Sequence, residues 1–593
     1  MKFRHAVCAT LAVASLLNSG ATDAEAGASK LWSAKLPDKL VWQRVTEQGT
    51  LLVGTKGSVI NYDPATGKQL WIRPDIKNIA PFNVREIQGT PAILMVQQTG
   101  TIPPKSKGYT VDIATGKTIW ETKEIMGSYL GAYAIPERQM AVFFVQQFDG
   151  EGGAGTFVRG VNAYTGEQLW STKYGETQDI QLHIAENSGM FFVKMDLSGH
   201  QSPMLVGDTL LLPFQGVHAF DIKTGALKWG VPFKPSNKAF KQSYPPMAVA
   251  DGSVYASGNG VVYSIDLATG AVRWKTDKLR SGFFGTGVIS ELTPAGDILF
   301  ARMGGNFTAD NKHWELKEPL GVMAVDRKTG AKLWDDDDLE KGITNLVVLP
   351  DNKTVVVADA DHLKGYDARG GKKTTEAFEV PLDFKRGVGV AEGTAMGMKI
   401  GMGLLTGGLI GAAQGTASSV TGDDRKDVPV QVSLTEHGKV VVRGQQHILS
   451  FDPAKKAVDW SSYYEAPGVN DFAIIAMGAF SAAMSMANWG SAMQSGAYAH
   501  EASEKAVGGF DEFQKMASKR YTAAKASAER VFFLTEVTEG GDKGPGLVAV
   551  DMKTGQTNGQ VYLDDKDPKY SVDEVTGRLF FFKNDKEVTG FQM

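Results

Sequence analysis

The chain has 593 residues, long enough for several domains, and its 62 Lys and Arg against 66 Asp and Glu leave a formal net charge of −4. That near balance excludes the clustered positive surface on which nucleic-acid binding rests, so no nucleic-acid partner is expected. One cysteine, Cys8, excludes a disulfide framework and a thiolate metal site.

The first segment reads as a leader. Lys2 and Arg4 make a basic start, Ala6 to Leu17 is apolar but too short to span a bilayer, and Ala24-Glu25-Ala26 offers a small-x-small cleavage site. Residues 1–26 are therefore expected to be a cleaved signal peptide, with the mature chain starting near Gly27 in a bacterial periplasm or envelope. Cys8 lies inside this segment and away from a lipid-attachment position, so no lipid anchor is expected.

Residues 27–384 carry a repeated phrase, Asp-x-x-Thr-Gly-x-x-x-Trp. It is complete at Asp63-Gly67-Trp71, Asp112-Gly116-Trp120, Asp221-Gly225-Trp229, Asp266-Gly270-Trp274 and Asp326-Gly330-Trp334; Asn162-Gly166-Trp170 repeats it with Asn for Asp. Degenerate copies stand at Tyr366-Asp367, at Phe451-Asp452 through Trp460, and at Asp551-Thr554-Gly555. The residues before each Asp read as a strand, as in Val261-Val262-Tyr263-Ser264-Ile265. Asp-x-x-Thr-Gly then makes a tight turn. Its carboxylate accepts turn N–H groups, and its glycine supplies the positive φ of a bulged hairpin. The second strand ends in Trp at a fixed distance from the Asp. One spacing kept throughout one chain implies one geometric role, and packing between adjacent sheets suits a side chain that buries roughly 150–250 Å². Further strand-like runs precede each hairpin, for example Leu51 to Gly54, Met140 to Val145 and Thr354 to Ala358. Four short strands in series, repeated, predict an all-β chain: a single β-propeller of eight to ten four-stranded blades.

Two segments interrupt the repeats. Residues 385–423 hold Gly389, Gly393, Gly397 and Gly401, then Gly403, Gly407, Gly411 and Gly415, each series at four-residue spacing, and Ile400 to Gly422 carries no charge. On a helix such a series makes a flat groove that a second helix backbone can approach closely. Residues 424–468 return to the blade pattern. Residues 469–530 then carry Ala479, Ala483, Ala487, Ser491, Ser495 and Ala499, uncharged from Phe472 to Ala499, followed by a charged amphipathic stretch from Glu501. Both segments fall between successive hairpins. If the connections are equivalent they leave the same face, and they are expected to pack together as a small helical subdomain. Three readings stay open: a soluble helical cap, helices that insert into or lie on a membrane through residues 387–420 and 472–499, or a Gly-rich loop ordered only by a partner.

Residues 531–593 complete the repeats. Leu31-Trp32 resembles the end of a repeat with no hairpin before it, and Leu579 to Phe582 with Val588 to Phe591 resembles the middle of a repeat whose last strand is missing. Together they are expected to form one split closing blade, which hides both sheet edges.

At Ala324-x-Asp326-x-x-Thr329-Gly330-x-x-x-Trp334 the chain resembles the pyrroloquinoline-quinone-type (PQQ-like) repeat propellers. The resemblance covers most of residues 30–593 outside the two interruptions. It implies a propeller, but its function divides between quinone-dependent dehydrogenases and cofactor-free scaffolds such as the barrel-assembly lipoprotein BamB. The dehydrogenase branch implies an adjacent cysteine pair and a calcium site of Glu, Asn and Asp, which this sequence does not match. No catalytic, cofactor-binding or metal residue is therefore assigned, and no PQQ is expected. The densest acidic run, Asp335 to Asp338, directly follows a blade's last strand and is expected to be a solvated loop. The expectation is an exported, non-enzymatic scaffold with envelope protein partners; the alternatives are a quinone-dependent dehydrogenase and a membrane-inserting protein.

Overall fold

The computed structural model describes residues 27–384, 429–464 and 530–593, apart from short stretches of connecting loop, chiefly within 176–202 and 234–244. The expected signal peptide and the two segments expected to be helical, with their glycine and alanine ladders, lie outside the described residues.

The described chain is β-structure, arranged as ten blade-like sheets in sequence order. Blade 2 shows the plan: Leu40–Val45 innermost, then Leu51–Thr55, Val59–Tyr62 and, outermost, Gln69–Arg73, each antiparallel to the last. Blades 3 (84–121), 4 (125–175), 5 (204–232), 6 (247–275), 7 (289–336), 8 (347–381) and 9 (431–463) repeat it. Blades 3 and 4 are joined into one eight-stranded sheet by the pairs Ile125↔Ser106 and Met126↔Lys105. Blade 10 has three described strands, Arg530–Glu539, Asp542–Asp551 and Thr557–Tyr562, filling the second to fourth positions.

Blade 1 is built from both ends of the chain. Lys569–Asp573, Arg578–Lys583 and Glu587–Gln592 are its first three strands, and Ser29–Lys35 is its fourth, with Trp32 opposite Gly590 and Lys35 opposite Glu587. The split blade read from Leu31-Trp32 and the C-terminal phenylalanines is therefore present.

The second strand of a blade is buried on both faces, because neighbouring blades cover it from each side. That is why Leu51–Thr55, Ser253–Gly258 and Thr354–Ala358 are buried throughout, and why Leu51 to Val53 and Val355 to Ala358 read as continuous apolar runs rather than alternations. Burial collects into ten apolar clusters, each spanning one seam between consecutive blades. Leu52, Val59 and Trp71 meet Ile93 and Val111 between blades 2 and 3; Phe300 and Val322 meet Val355 and Tyr366 between blades 7 and 8. The last cluster joins Phe532, Leu547 and Val561 of blade 10 to Leu579 and Phe581 of blade 1, so the seams close into a ring.

Connectivity gives the ring two faces. First-to-second and third-to-fourth turns lie on one; second-to-third hairpins and the crossings to the next blade lie on the other. The first face is uniform, with turns as short as Gly207-Asp208 and Gly296-Asp297 beside the Asp-x-x-Thr-Gly hairpins. Among the described residues the long elaborations belong to the second face.

A candidate interaction face

The repeat residues are absorbed by the turn face and by the seams. In each hairpin the Asp carboxylate accepts turn groups: Asp266 Oδ1 takes the N–H of Ala268 at 3.0 Å and of Thr269 at 2.8 Å, and the Thr269 hydroxyl at 2.9 Å. Asp63, Asp112, Asp221 and Asp326 do the same for Thr66, Thr115, Thr224 and Thr329. Asn162 keeps the backbone part of this pattern, accepting from Tyr164 and Thr165. The ladder slips by one residue just before each Asp, for instance between Asn61 and Tyr62 and between Ser264 and Ile265, which is the bulge expected of this loop.

The repeat Trp of one blade reaches the turn of the next. Trp71 Nε1 donates to the Ile113 carbonyl at 2.8 Å, Trp120 to Ala163 at 2.9 Å, Trp170 to Ile222 at 2.9 Å and Trp229 to Leu267 at 3.0 Å. Trp274 donates to Arg327 and Trp334 to Ala368. In these six joints the acceptor is the residue after the repeat Asp or Asn. The indole lies on the glycine of that same turn. A Cβ on Gly116 would stand 2.5 Å from the Trp71 ring, and one on Gly225 2.5 Å from Trp170; Gly67, Gly166, Gly270 and Gly330 seat Trp32, Trp120, Trp229 and Trp274 alike. Each glycine also has positive φ, such as +72° at Gly225. The glycine thus meets two demands at once, a left-handed turn and a bare surface for the ring.

Carboxylates on this face are acidified by their partners. The Arg273 guanidinium, with the Thr269 hydroxyl and N–H, lowers Asp266 to about 2. Asp221 and Asp326 are lowered chiefly by Thr224 and Thr329.

The acidic run differs from its expectation. The strand Lys332–Asp336 carries Asp336 into the seam with blade 8, where it accepts the Tyr366 hydroxyl at 2.6 Å and pairs with Lys372 at 2.8 Å. Desolvation raises the Asp336 carboxyl, but Lys372 and Tyr366 outweigh it and hold it below the usual range. Asp336 is a buried seam residue rather than part of a solvated loop. Among the described residues no group of three or more His, Cys, Asp or Glu is arranged to hold a metal ion.

The other face is where the chain departs from its repeat. The hairpin Leu182–Ile184 with Phe191–Val193 and the parallel pair Met195–Asp196 with Gln242–Ser243 belong to crossings out of blades 4 and 5. Arg280–Ser281 pairs with Gly285–Thr286 in the crossing from blade 6 to blade 7. The hairpin of Ile298–Thr308 and Trp314–Asp326 lengthens blade 7 on the same side. Both long interruptions start there too. The first leaves the outer strand Phe378–Pro381 and returns at the inner strand Gln431–Leu434; the second leaves the outer strand Ala457–Tyr463.

Their roots touch. Phe384, the last described residue before the first interruption, stacks on His447 at 4.5 Å with 7° between ring planes, and Tyr463 lies 4.7 Å from the same imidazole. Tyr464 stacks on Phe533 at 4.9 Å, joining the exit of the second interruption to the strand that follows it. Sequence reading passed over Phe384, His447 and Tyr463, although aromatics bounding a non-repeat segment were the available clue. The helix-packing candidates Gly389 through Gly415 and Ala479, Ala483 and Ala487 lie outside the described residues.

Known proteins give limited likeness. A family model described as "Outer membrane protein assembly factor BamB" matches residues 20–189 and 104–309. No curated protein sequence matches the chain. Among solved structures, BamB from Moraxella catarrhalis is 16% identical over 71% of this chain and 95% of its own, with a TM-score of 0.33. Quinohemoprotein alcohol dehydrogenase ADHIIG from Pseudomonas putida HK5 is 11% identical over 95% of this chain and 76% of its own, with a TM-score of 0.30. Dihydro-heme d1 dehydrogenase NirN is 12% identical over 58% of this chain and 66% of its own, with a TM-score of 0.32.

Proposed function

We infer the function from the premise that this chain is a PQQ-like repeat β-propeller: it is an exported, non-enzymatic scaffold of the bacterial envelope that holds partner proteins on its elaborated face. One observation carries the reading. The described departures from the repeat, both ends of the first long interruption and the exit of the second lie on one face of the ring, while the other carries the uniform repeat turns. Binding loops on a rigid scaffold concentrate in this way. The description of the matched family supports outer-membrane protein assembly as the process served.

The reading includes no quinone. The only cysteine is Cys8, and the repeat indoles are seated on the neighbouring blade's glycine rather than presented to a ligand. Purified protein tested for extractable quinone and dye-linked alcohol oxidation separates the scaffold from a dehydrogenase. The scaffold predicts neither; stoichiometric quinone with turnover would refute it.

A membrane contact through residues 387–420 and 472–499 is a second reading, favoured by two long uncharged runs whose roots are adjacent. Among the described residues no helix is long and apolar enough to cross a membrane. Fractionation after osmotic release, for the full chain and for a deletion of 387–420, tests it: a membrane contact predicts that only the deletion becomes fully soluble.

A further inference from the structure

The seam between blades 8 and 9 is built differently from the seams on either side, where Trp334 and Trp460 donate to the next turn. At its outer rim Phe378 packs over Gly365 and lies 4.8 Å from Phe451, and a phenyl ring has no N–H to give. The directional tie lies instead at the inner strand. The Asn345 side chain donates to the Val432 carbonyl at 2.9 Å and accepts the Val432 N–H at 3.0 Å. One side-chain amide thus pairs with the inner strand of blade 9 as a neighbouring backbone would.

Asn345 belongs to a crossing held from several sides. The inner strand of blade 8 is only Val347–Val348, and residues 344–346 lead into it. Thr344 bonds to Ala358 of the second strand through its N–H at 3.0 Å and its hydroxyl at 2.9 Å. From blade 7, the buried Arg302 guanidinium donates to the Thr344 carbonyl at 3.1 Å and to the Ser290 hydroxyl at 2.8 Å. The Glu291 carboxylate accepts the Leu346 N–H at 3.2 Å, and it stands opposite Arg302 in the ladder, 3.6 Å away. Three consecutive residues therefore carry bonds to three blades.

Burial pushes the Glu291 carboxyl up and the Arg302 guanidinium down, each against the pull of the other's charge. Such a pair adds little net stability, and its worth lies in fixing what it touches. Arg302 also sits on Ile298–Thr308, the strand that rises into the long hairpin of the elaborated face. We propose that residues 344–346 are a coupling clasp. A displacement of that hairpin passes through Arg302 and Glu291 to the crossing, and through Asn345 to the inner strand of blade 9. Blades 7, 8 and 9 then yield as one cooperative unit. This coupling belongs to the ring itself and stands whether or not a partner binds the hairpin.

Hydrogen–deuterium exchange on the full chain tests this with two variants. One is Asn345→Ala; the other combines Arg302→Met with Glu291→Gln, removing both charges at similar size. Peptides covering Thr354–Ala358, Gln431–Leu434 and Val440–Arg443 are compared with Leu51–Thr55 of blade 2. The combined change, though made in blade 7, should speed exchange about tenfold or more in blades 8 and 9 and leave blade 2 within about twofold. Asn345→Ala should speed blade 9 by a similar factor; if it does not, the clasp is not there. A combined change whose effect stops at blade 8 means no transmission, and one felt equally in blade 2 means a general loss of stability. Either result overturns the proposal. Should these variants fail to fold, Asn345→Asp keeps the acceptor and loses the donor. It must still speed blade 9 by more than about twofold, and a smaller change overturns the proposal too.

Discussion

At the scale of single residues, the repeat glycines are worth more than turn flexibility alone suggests. Gly225 and Gly252 share nearly the same backbone, φ +72° and +69°, but only Gly225 lies under an indole; a Cβ on Gly252 meets nothing within 4 Å. Gly252→Ala should therefore cost only left-handed strain, about 1 kcal/mol. Gly225→Ala should add overpacking against Trp170, for about 2–4 kcal/mol in all by denaturant titration. Equal costs would mean that the seat is not a seat. The turn carboxylates make a second prediction. Asp266 is lowered to about 2, and Asp221 and Asp326 are also lowered. Groups acidified by folding stabilise the protein above their unfolded value of about 4, and that stability is lost as pH falls toward the folded value. Tryptophan fluorescence should thus report seam loosening only below about pH 4. Asp266→Asn, which copies the Asn162 turn, should remove that turn's share of the acid sensitivity; an unchanged acid midpoint would argue against it. Asp, Gly and Trp were legible in sequence because one spacing recurs. Asp336 was not, since a run of four acids looks solvated until the strand is seen to carry one of them beneath Tyr366.

At the scale of elements, the closing blade is the test case. Ser29–Lys35 supplies its outer strand, the Ser33–Thr589 hydroxyl contact at 2.8 Å, and the Trp32 indole donated to the Pro64 carbonyl at 3.0 Å. Removing residues 27–37 should expose the edge of Glu587–Gln592 and unseat blade 2, giving a protein that self-associates by strand pairing in size-exclusion chromatography. A synthetic peptide of residues 27–37 should restore the monodisperse peak. A truncated chain that stays monodisperse would contradict the split-blade account. This closure was readable because Leu31-Trp32 is half a repeat without its hairpin. The joint between blades 8 and 9 was not: its aromatic stands three residues later than the repeat spacing predicts, so Phe378 was invisible to a search for Asp and Trp eight apart.

At the scale of the whole molecule, an upper bound of ten blades was within reach of the sequence, since each hairpin copy, however degenerate, turned out to belong to a sheet. The asymmetry between faces was only conditionally readable: it follows from where each interruption leaves its blade, and strand order decides that. The account's central claim is that partners are held by the elaborated face. It is tested most directly by photo-cross-linking in intact cells from single positions on each face. Asp149 and Gly540 are exposed at hairpin tips on the elaborated side; Lys223, Ala268 and Lys328 are exposed at the repeat turns opposite. The account predicts discrete cross-links to envelope proteins from the first pair, lost when both interruptions are deleted, and none from the three turn positions. Cross-links arising mainly from Lys223, Ala268 and Lys328 would contradict it.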